Sequence, residues 1–521
     1  MRMFGKFPGL PALAAAAFAA APLAAQDTVD EAAGSDLPDF ENLSFNEALG
    51  IFRESDRRWV EEPCDFGAPL LGAMLGHQPD NPDVIYLSFY TRALCADNEK
   101  RYEDGAALVR ELNNVEGRSA DLSLTLYFAR RTEDGQWALE TLQNLEAEEL
   151  GSLDPERFWF DIGPVFDAGL SEEFEALALH WFESNLIGFI DGDLYSPLAY
   201  RALSAAARDG RNDIAPQLLS YILSPRSYVD LLTMRKYEPL WPEIEARAGP
   251  NLTLVGAENV ETTRRRLANA PSERKRFSDA AHALHFNGDF EEAIELADSW
   301  REREERGLEL EEGDGWALNI QAYAYDSLGQ PERADAVFDE LAKVDPEENG
   351  WVVSFVINRA SRLVGHGRWE EGLEAAQYAR TVPGSTYAEM IVAYNHTCAL
   401  NRLGRTEEAL AELTFMRENR ETSVAMLASA LLCNGLRDEA AEVLIEGLRN
   451  EDTRGNAIET LLGPEADLFY TQSMLPDNRD LMAEYPELAA EFALHARDLP
   501  EAFTPRASQL RARLDLPEWE D

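Results

Sequence analysis

Apolar residues recur at helical spacing from Leu43 onward. Phe45, Leu49, Ile51 and Phe52 share one helix face, and Tyr102, Ala106, Leu108, Val109 and Leu112 share another. No long alternating run of β-branched residues breaks this pattern. Proline or glycine punctuates it at helix-length intervals, at Pro63, Pro79, Pro82, Gly117, Gly135, Pro155, Pro164, Pro197 and Gly210. The chain is read as all-α.

Between residues 277 and 452 one short pattern returns five times: Gly288-Asp-Phe-Glu-Glu-Ala293, Gly329-Gln-Pro-Glu-Arg-Ala334, Gly367-Arg-Trp-Glu-Glu-Gly372, Gly404-Arg-Thr-Glu-Glu-Ala409 and Gly435-Leu-Arg-Asp-Glu-Ala440. The glycine numbers differ by 41, 38, 37 and 31, the spacing of an array of helix pairs. Seven residues before each glycine stands a small or short residue: Ala281, Ala322, Ala360, Thr397 or Ala428. Four before it stands a larger one: Leu284, Tyr325, Leu363, Leu400 or Leu431. Small residues let two helices approach, and large ones fill the space beside them. The glycine should end the first helix in a left-handed conformation. The acidic residues after it then fall in the first turn of the second helix, where the helix dipole favours negative charge.

The pattern resembles the tetratricopeptide repeat family. The copy from Trp316 to Pro346 carries Ala322, Tyr325, Gly329, Ala334, Phe338 and Pro346 in the family's places, and the resemblance covers about a third of the chain. Gly372 departs from it in place of the second-helix alanine. Gln321, Arg359 and His396 replace a leucine, and Arg301 to Gly313 is a charged insertion expected to lengthen a helix or its turn. The resemblance implies an α-solenoid of antiparallel helix pairs, a right-handed superhelix whose concave face takes peptides or protein surfaces. It places Trp316, Asn319, Tyr323, Asp326, Asn358, Ser361, Tyr394, Asn395, Asn401 and Arg402 in that groove. Asn and Tyr can both donate to and accept from a peptide backbone. The basic clamp some members close on a terminal carboxylate is missing apart from Arg402.

The first half, residues 43–249, reads as helical, either as degenerate copies or as a separate domain. Gly210-Arg-Asn-Asp-Ile-Ala215 and Lys100-Arg-Tyr-Glu-Asp-Gly105 echo the pattern, the latter with lysine for glycine. Pro239, Pro242, Gly249 and Pro250 interrupt it, and residues 250–276 form a junction holding the chain's basic cluster: Arg264, Arg265, Arg266, Arg274, Lys275 and Arg276. That cluster is read as counterions for acidic helices. Residues 453–521 are read as further helices between prolines, with Arg506–Leu516 as a polar-faced cap and a frayed end.

Charge and cysteine change the picture outside the repeats. With 96 acidic and 47 basic residues the formal charge is −49, which repels nucleic acid and anionic lipid and favours basic partners or solubility. Residues 1–25 look like a secretory leader, with Arg2 and Lys6 before an Ala-rich stretch and Leu23-Ala24-Ala25 before the expected cut. An acidic flexible lead-in, residues 26–42, follows. No lipobox cysteine is present and no later stretch is long enough to span a membrane, so a periplasmic or secreted protein is expected. Export places the four cysteines in an oxidising compartment. Cys64 with Cys95 and Cys398 with Cys433, 31 and 35 residues apart, are candidate disulfides; four buried thiols are the alternative.

Chemistry leaves little trace. The chain lacks Gly-x-Ser-x-Gly, His-Glu-x-x-His, Cys-x-x-Cys and a phosphate loop. His282 and His285 are too few for a metal site and read as a surface pair. Asp191-Gly-Asp193 reads as a turn, and Phe158-Trp159-Phe160 and His180-Trp181-Phe182 as core. No catalytic residue, cofactor or metal is assigned. The expectation is an exported, non-catalytic protein that binds a peptide or protein in a bacterial envelope. Two alternatives stay open: an enzyme with its site in residues 43–249, or a glycan-binding envelope protein.

Overall fold

The computed structural model describes residues 39–519 apart from 56, 116–120, 156, 305–308, 347, 383 and 470–471, with the side chains at 41 and 300–304 also undescribed. The expected leader and most of the lead-in lie outside these residues, as does part of the 301–313 insertion. Among the described residues the regular structure is helical throughout, and no helix is long and apolar enough to cross a membrane. The chain divides into two compact units, one of residues 1–174 and 186–191, the other of residues 175–185 and 192–521.

In the first unit Phe52, Trp59, Leu70, Leu71, Met74, Tyr90 and Phe128 form the centre of one apolar core. A disulfide joins Cys64 to Cys95, with Cα atoms 4.8 Å apart, and ties the turn at residues 63–67 to the helix Pro82–Asn98. In the second unit Cys398 and Cys433, on the first helices of copies four and five, are bonded, with Cα atoms 5.2 Å apart. Closing loops of this length stabilises a fold by about 3–4 kcal/mol each in the chain-entropy account.

The five copies are five helix pairs: Arg274–Asn287 with Phe290–Glu304, Glu312–Ser327 with Pro331–Leu341, Val353–Gly365 with Trp369–Ala379, Thr386–Arg402 with Thr406–Glu418, and Val424–Cys433 with Arg437–Arg449. Each helix packs on the next. All five turn glycines have positive φ. Each closes the same bond, from the amide of the residue after the glycine to the carbonyl four before it: Asp289 to Leu284, Gln330 to Tyr325, Arg368 to Leu363, Arg405 to Leu400 and Leu436 to Leu431, at 2.9–3.0 Å. This is the six-to-one bond of a Schellman cap. The small residues at positions 281, 322, 360, 397 and 428 are all fully buried. Thr397 serves because its hydroxyl donates to the carbonyl of Ala409 on the partner helix at 2.8 Å. Gly372 departs from alanine because a Cβ there would stand 2.6 Å from Val364 Cγ2 and 3.1 Å from its backbone nitrogen.

The same cap appears earlier in the chain: Arg101 to Ala96, Asp134 to Ala129, Leu170 to Val165 and Arg211 to Ala206, at 2.7–3.0 Å, around Lys100, Glu133, Gly169 and Gly210. Those four residues also have positive φ. Glu133 and Lys100 hold a conformation that costs an L-residue about 1–2 kcal/mol. Glu133→Gly should therefore raise the unfolding free energy by about 0.5–1 kcal/mol, part of the gain being cancelled by the freer unfolded chain. Urea unfolding measures this, and a loss of stability would contradict the strain argument.

The stretch 250–276 is mostly one helix, Thr253–Asn269. The end of the chain departs from a cap and a frayed tail. Residues 506–519 run along the turn edges of the pairs, with Ala507 against Gly288, Ala512 against Gly329 and Pro517 against Gly367. Ala512 donates to the Ser327 carbonyl at 2.8 Å, and Trp519 packs edge-on against Trp369, ring centroids 6.1 Å apart. Each five-residue step of this stretch spans one step between glycines.

Candidate functional site

The positions assigned to the groove lie on the first helices of copies two to four, and much of their hydrogen-bonding capacity is used between helices. Asn358 donates to Asn319 at 3.1 Å, Asn395 to the Ser361 hydroxyl at 2.7 Å, and Asn401 to the Cys433 carbonyl at 2.7 Å. Asn319 and Asn395 are buried, while Trp316, Tyr323, Asn358, Tyr394, Asn401 and Arg402 are half-buried. Trp316 packs edge-on against Phe355 at 4.9 Å, and its indole N–H faces Glu312 at 3.4 Å. Tyr394 lies against the cluster of Val364, Leu373, Cys398 and Leu400. The Arg402 guanidinium stands 4.5 Å from the Trp519 ring, so its face is taken by the chain's own aromatic.

Asp326 is drawn into a buried ion network. Arg362 grips it through Nε at 2.6 Å and Nη2 at 2.8 Å, and reaches Asp335 at 2.5 Å and the Pro331 carbonyl at 2.9 Å. Arg368 closes the far side of Asp335 at 2.6 Å. The polar residues standing for the family leucine pair outward with second helices: Gln321 with Asp298 at 2.7 Å, Arg359 with Asp339 at 2.8 Å, His396 with Glu412 at 2.9 Å.

The histidines are corrected. His285 is only 1% exposed and His282 is half-buried, so neither belongs to a surface pair. The covering comes from Leu468 and Phe469, in the part of the chain read as further helices between prolines. Phe469 stands edge-on to Phe286 at 4.7 Å and to His282 at 5.9 Å, with the Arg226 guanidinium 5.4 Å from its ring. Leu468 is buried, and its carbonyl accepts from the Arg511 guanidinium at 2.8 Å. Burial, with Arg511 and His282 adding to it, pulls the His285 pKa down to about 3.

Each cation of the basic cluster faces a carboxylate of the chain. Lys275 at 3.2 Å, Arg266 at 3.4 Å and Arg276 converge on Asp193; Arg274 meets Asp314 at 3.4 Å, Arg265 meets Glu261 at 3.7 Å, and Arg264 meets Glu292. Burial would raise the Asp193 pKa, but the bonds from Arg276 and Lys275 outweigh it and hold the carboxyl below its usual range.

Two features touch on chemistry. Ser204 Oγ lies 2.7 Å from the Tyr237 hydroxyl and 3.2 Å from Lys236 Nζ, and the Tyr200 ring stands edge-on to that of Tyr237 at 6.2 Å. Ser204 and Tyr237 are buried, so these hydroxyls satisfy one another inside the fold. Nearby Asp230 is pushed up to about 7 by burial, with the Glu459 charge adding to it. Among the described residues the group of three ligating atoms within 4.8 Å is Cys64, Cys95 and Glu99, and its sulfurs are joined in the disulfide. Phe158, Trp181 and Phe182 are core, whereas Phe160 is exposed beneath Arg130, 4.1 Å from its ring. No protein-family model matches the chain, and no curated protein does.

Proposed function

We propose that this chain is an exported, non-catalytic binding protein, an α-solenoid of tetratricopeptide type that takes peptide segments or a partner's surface on the face of its first helices. The observation that carries the reading is the recurrence of one helix cap from Lys100 to Gly435, with each helix of the five clear pairs packed on the next. Helix pairs repeated in this way bury their small and large residues against their neighbours and leave one extended face polar. Export is supported by the two disulfides. The formal charge of −49 favours basic or neutral partners in an envelope compartment.

The test is site-specific photocrosslinking in the source cells. A photoreactive residue replacing Asn358, on a first helix, should trap a discrete adduct. The same residue replacing Tyr378, exposed on a second helix, should not. Equal labelling from both positions, or none from Asn358, would count against the groove.

A further inference from the structure

We infer that residues 468–469 and 472–478 occupy the groove as an internal ligand, and that the natural partner presents an extended segment of like chemistry: an aromatic residue and, five positions on, an adjacent Met-Leu pair. This rests on the binding reading above and adds the partner's chemistry and the competition it must win.

The segment passes the helix pairs in their own order. Phe469 meets His282 and Phe286 of the first copy. The Met474 amide donates to the Gly365 carbonyl at 2.8 Å in the third. Leu475 joins the cluster of Val364, Leu373 and Leu400. The Asn478 side chain donates to Ser429 Oγ at 2.6 Å in the fifth. Room for it is made by absent side chains: a Cβ on Gly365 would stand 3.1 Å from Ser473 Oγ, and one on Gly367 2.6 Å from Met474 Sδ. Residues 472–477 belong to no helix. They are held as a docked peptide is held, by side-chain pockets and a main-chain bond.

The Asp467 carboxylate accepts from the Phe469 amide at 2.8 Å and that of Asp477 from the Arg479 amide at 2.9 Å, so each end of the segment carries its own local cap. Tethering raises the segment's effective concentration, so a competitor's apparent affinity falls with the fraction of time the groove is open.

The experiment uses the mature chain and labelled synthetic peptides spanning residues 465–478, in native, scrambled and F469A/M474A forms. Phe469→Ala combined with Met474→Ala in the protein should raise affinity for the native peptide by about 10-fold or more. The F469A/M474A and scrambled forms should not bind. A cooperatively folded variant that treats native and scrambled peptides alike would overturn the inference. So would a concentration-dependent dimer that excludes peptide, which would mean exchange of the segment between copies. Hydrogen exchange on the wild-type protein gives a second reading that needs no variant. The Met474 amide should exchange faster than the first-helix amides, and exchange only on global unfolding would mean a fixed structural strap. Crosslinks from Asn358 without peptide uptake would leave the binding reading standing and remove this one.

Discussion

Replacing Arg362 by methionine is expected to cost about 3–5 kcal/mol of unfolding free energy, the penalty for leaving a buried charge without its partner. Arg362 and Asp326 are 2% and 3% exposed, and the fork-on-carboxylate geometry satisfies both oxygens of Asp326. Burial pushes the Asp326 carboxyl up, and Arg362 opposes that shift without cancelling it. With the arginine gone, Asp326 must either stay charged in an apolar site or take up a proton. Asp335 keeps Arg368 and suffers less. Because the damage lies in the orphaned carboxylate, adding Asp326→Leu to Arg362→Met should recover more than half of the loss. Urea unfolding of the two variants decides this. A single-variant loss below about 1 kcal/mol, or a double variant no better than the single, would show that the pair is not the link between copies two and three.

Acid should weaken the fold through His285, and His285→Phe should remove that part. The unfolded histidine titrates near 6.5, whereas burial holds the folded ring down to about 3. A depressed folded pKa adds stability above the unfolded value and loses it as pH falls toward the folded one. Between pH 8 and 4.5 the unfolded chain gains a proton the folded chain refuses, a difference of about 3 kcal/mol from this group. His366, brought down to about 4 by burial with Arg362 adding to it, acts in the same sense. Asp230 acts in the opposite sense: its folded pKa near 7 favours the folded state as pH falls, so Asp230→Asn should steepen the acid loss. Comparing wild type and His285→Phe by thermal unfolding across that range isolates the histidine. Parallel curves would mean that the ring is open to protons through motion of the Leu468–Phe469 cover.

Much of the local structure was written in residue type. A left-handed turn after a helix is where glycine has no penalty, so Gly288, Gly329, Gly367, Gly404 and Gly435 marked their caps directly. The buried register before and after each glycine followed, because close helix approach accepts only small side chains. Where glycine is replaced, the signal fades: Lys100 was recognisable from the hexapeptide around it, and Glu133 was not, though both make the same bond. Arg362 and Asp326 carry opposite charges 36 residues apart, close to one step of the pattern, which is the signal in sequence for their pairing.

The histidines and the groove show the limit. His282 and His285 have a helical spacing that says nothing about what lies over them, and Phe469 comes from a stretch with no periodicity to predict its path. Likewise the resemblance assigned Asn319 and Asn395 to a groove, but whether their amides meet solvent or, as here, Asn358 and Ser361 of a neighbouring helix depends on how far one helix stands from the next. Local rules of turn, cap and patterning act within a few residues and were therefore carried by the chain alone, which determined the helices, their ends and their buried faces. The paths of residues 472–478 and 506–519 along the pairs were decided only by tertiary packing, because contacts between residues far apart in sequence depend on shape that no short stretch encodes.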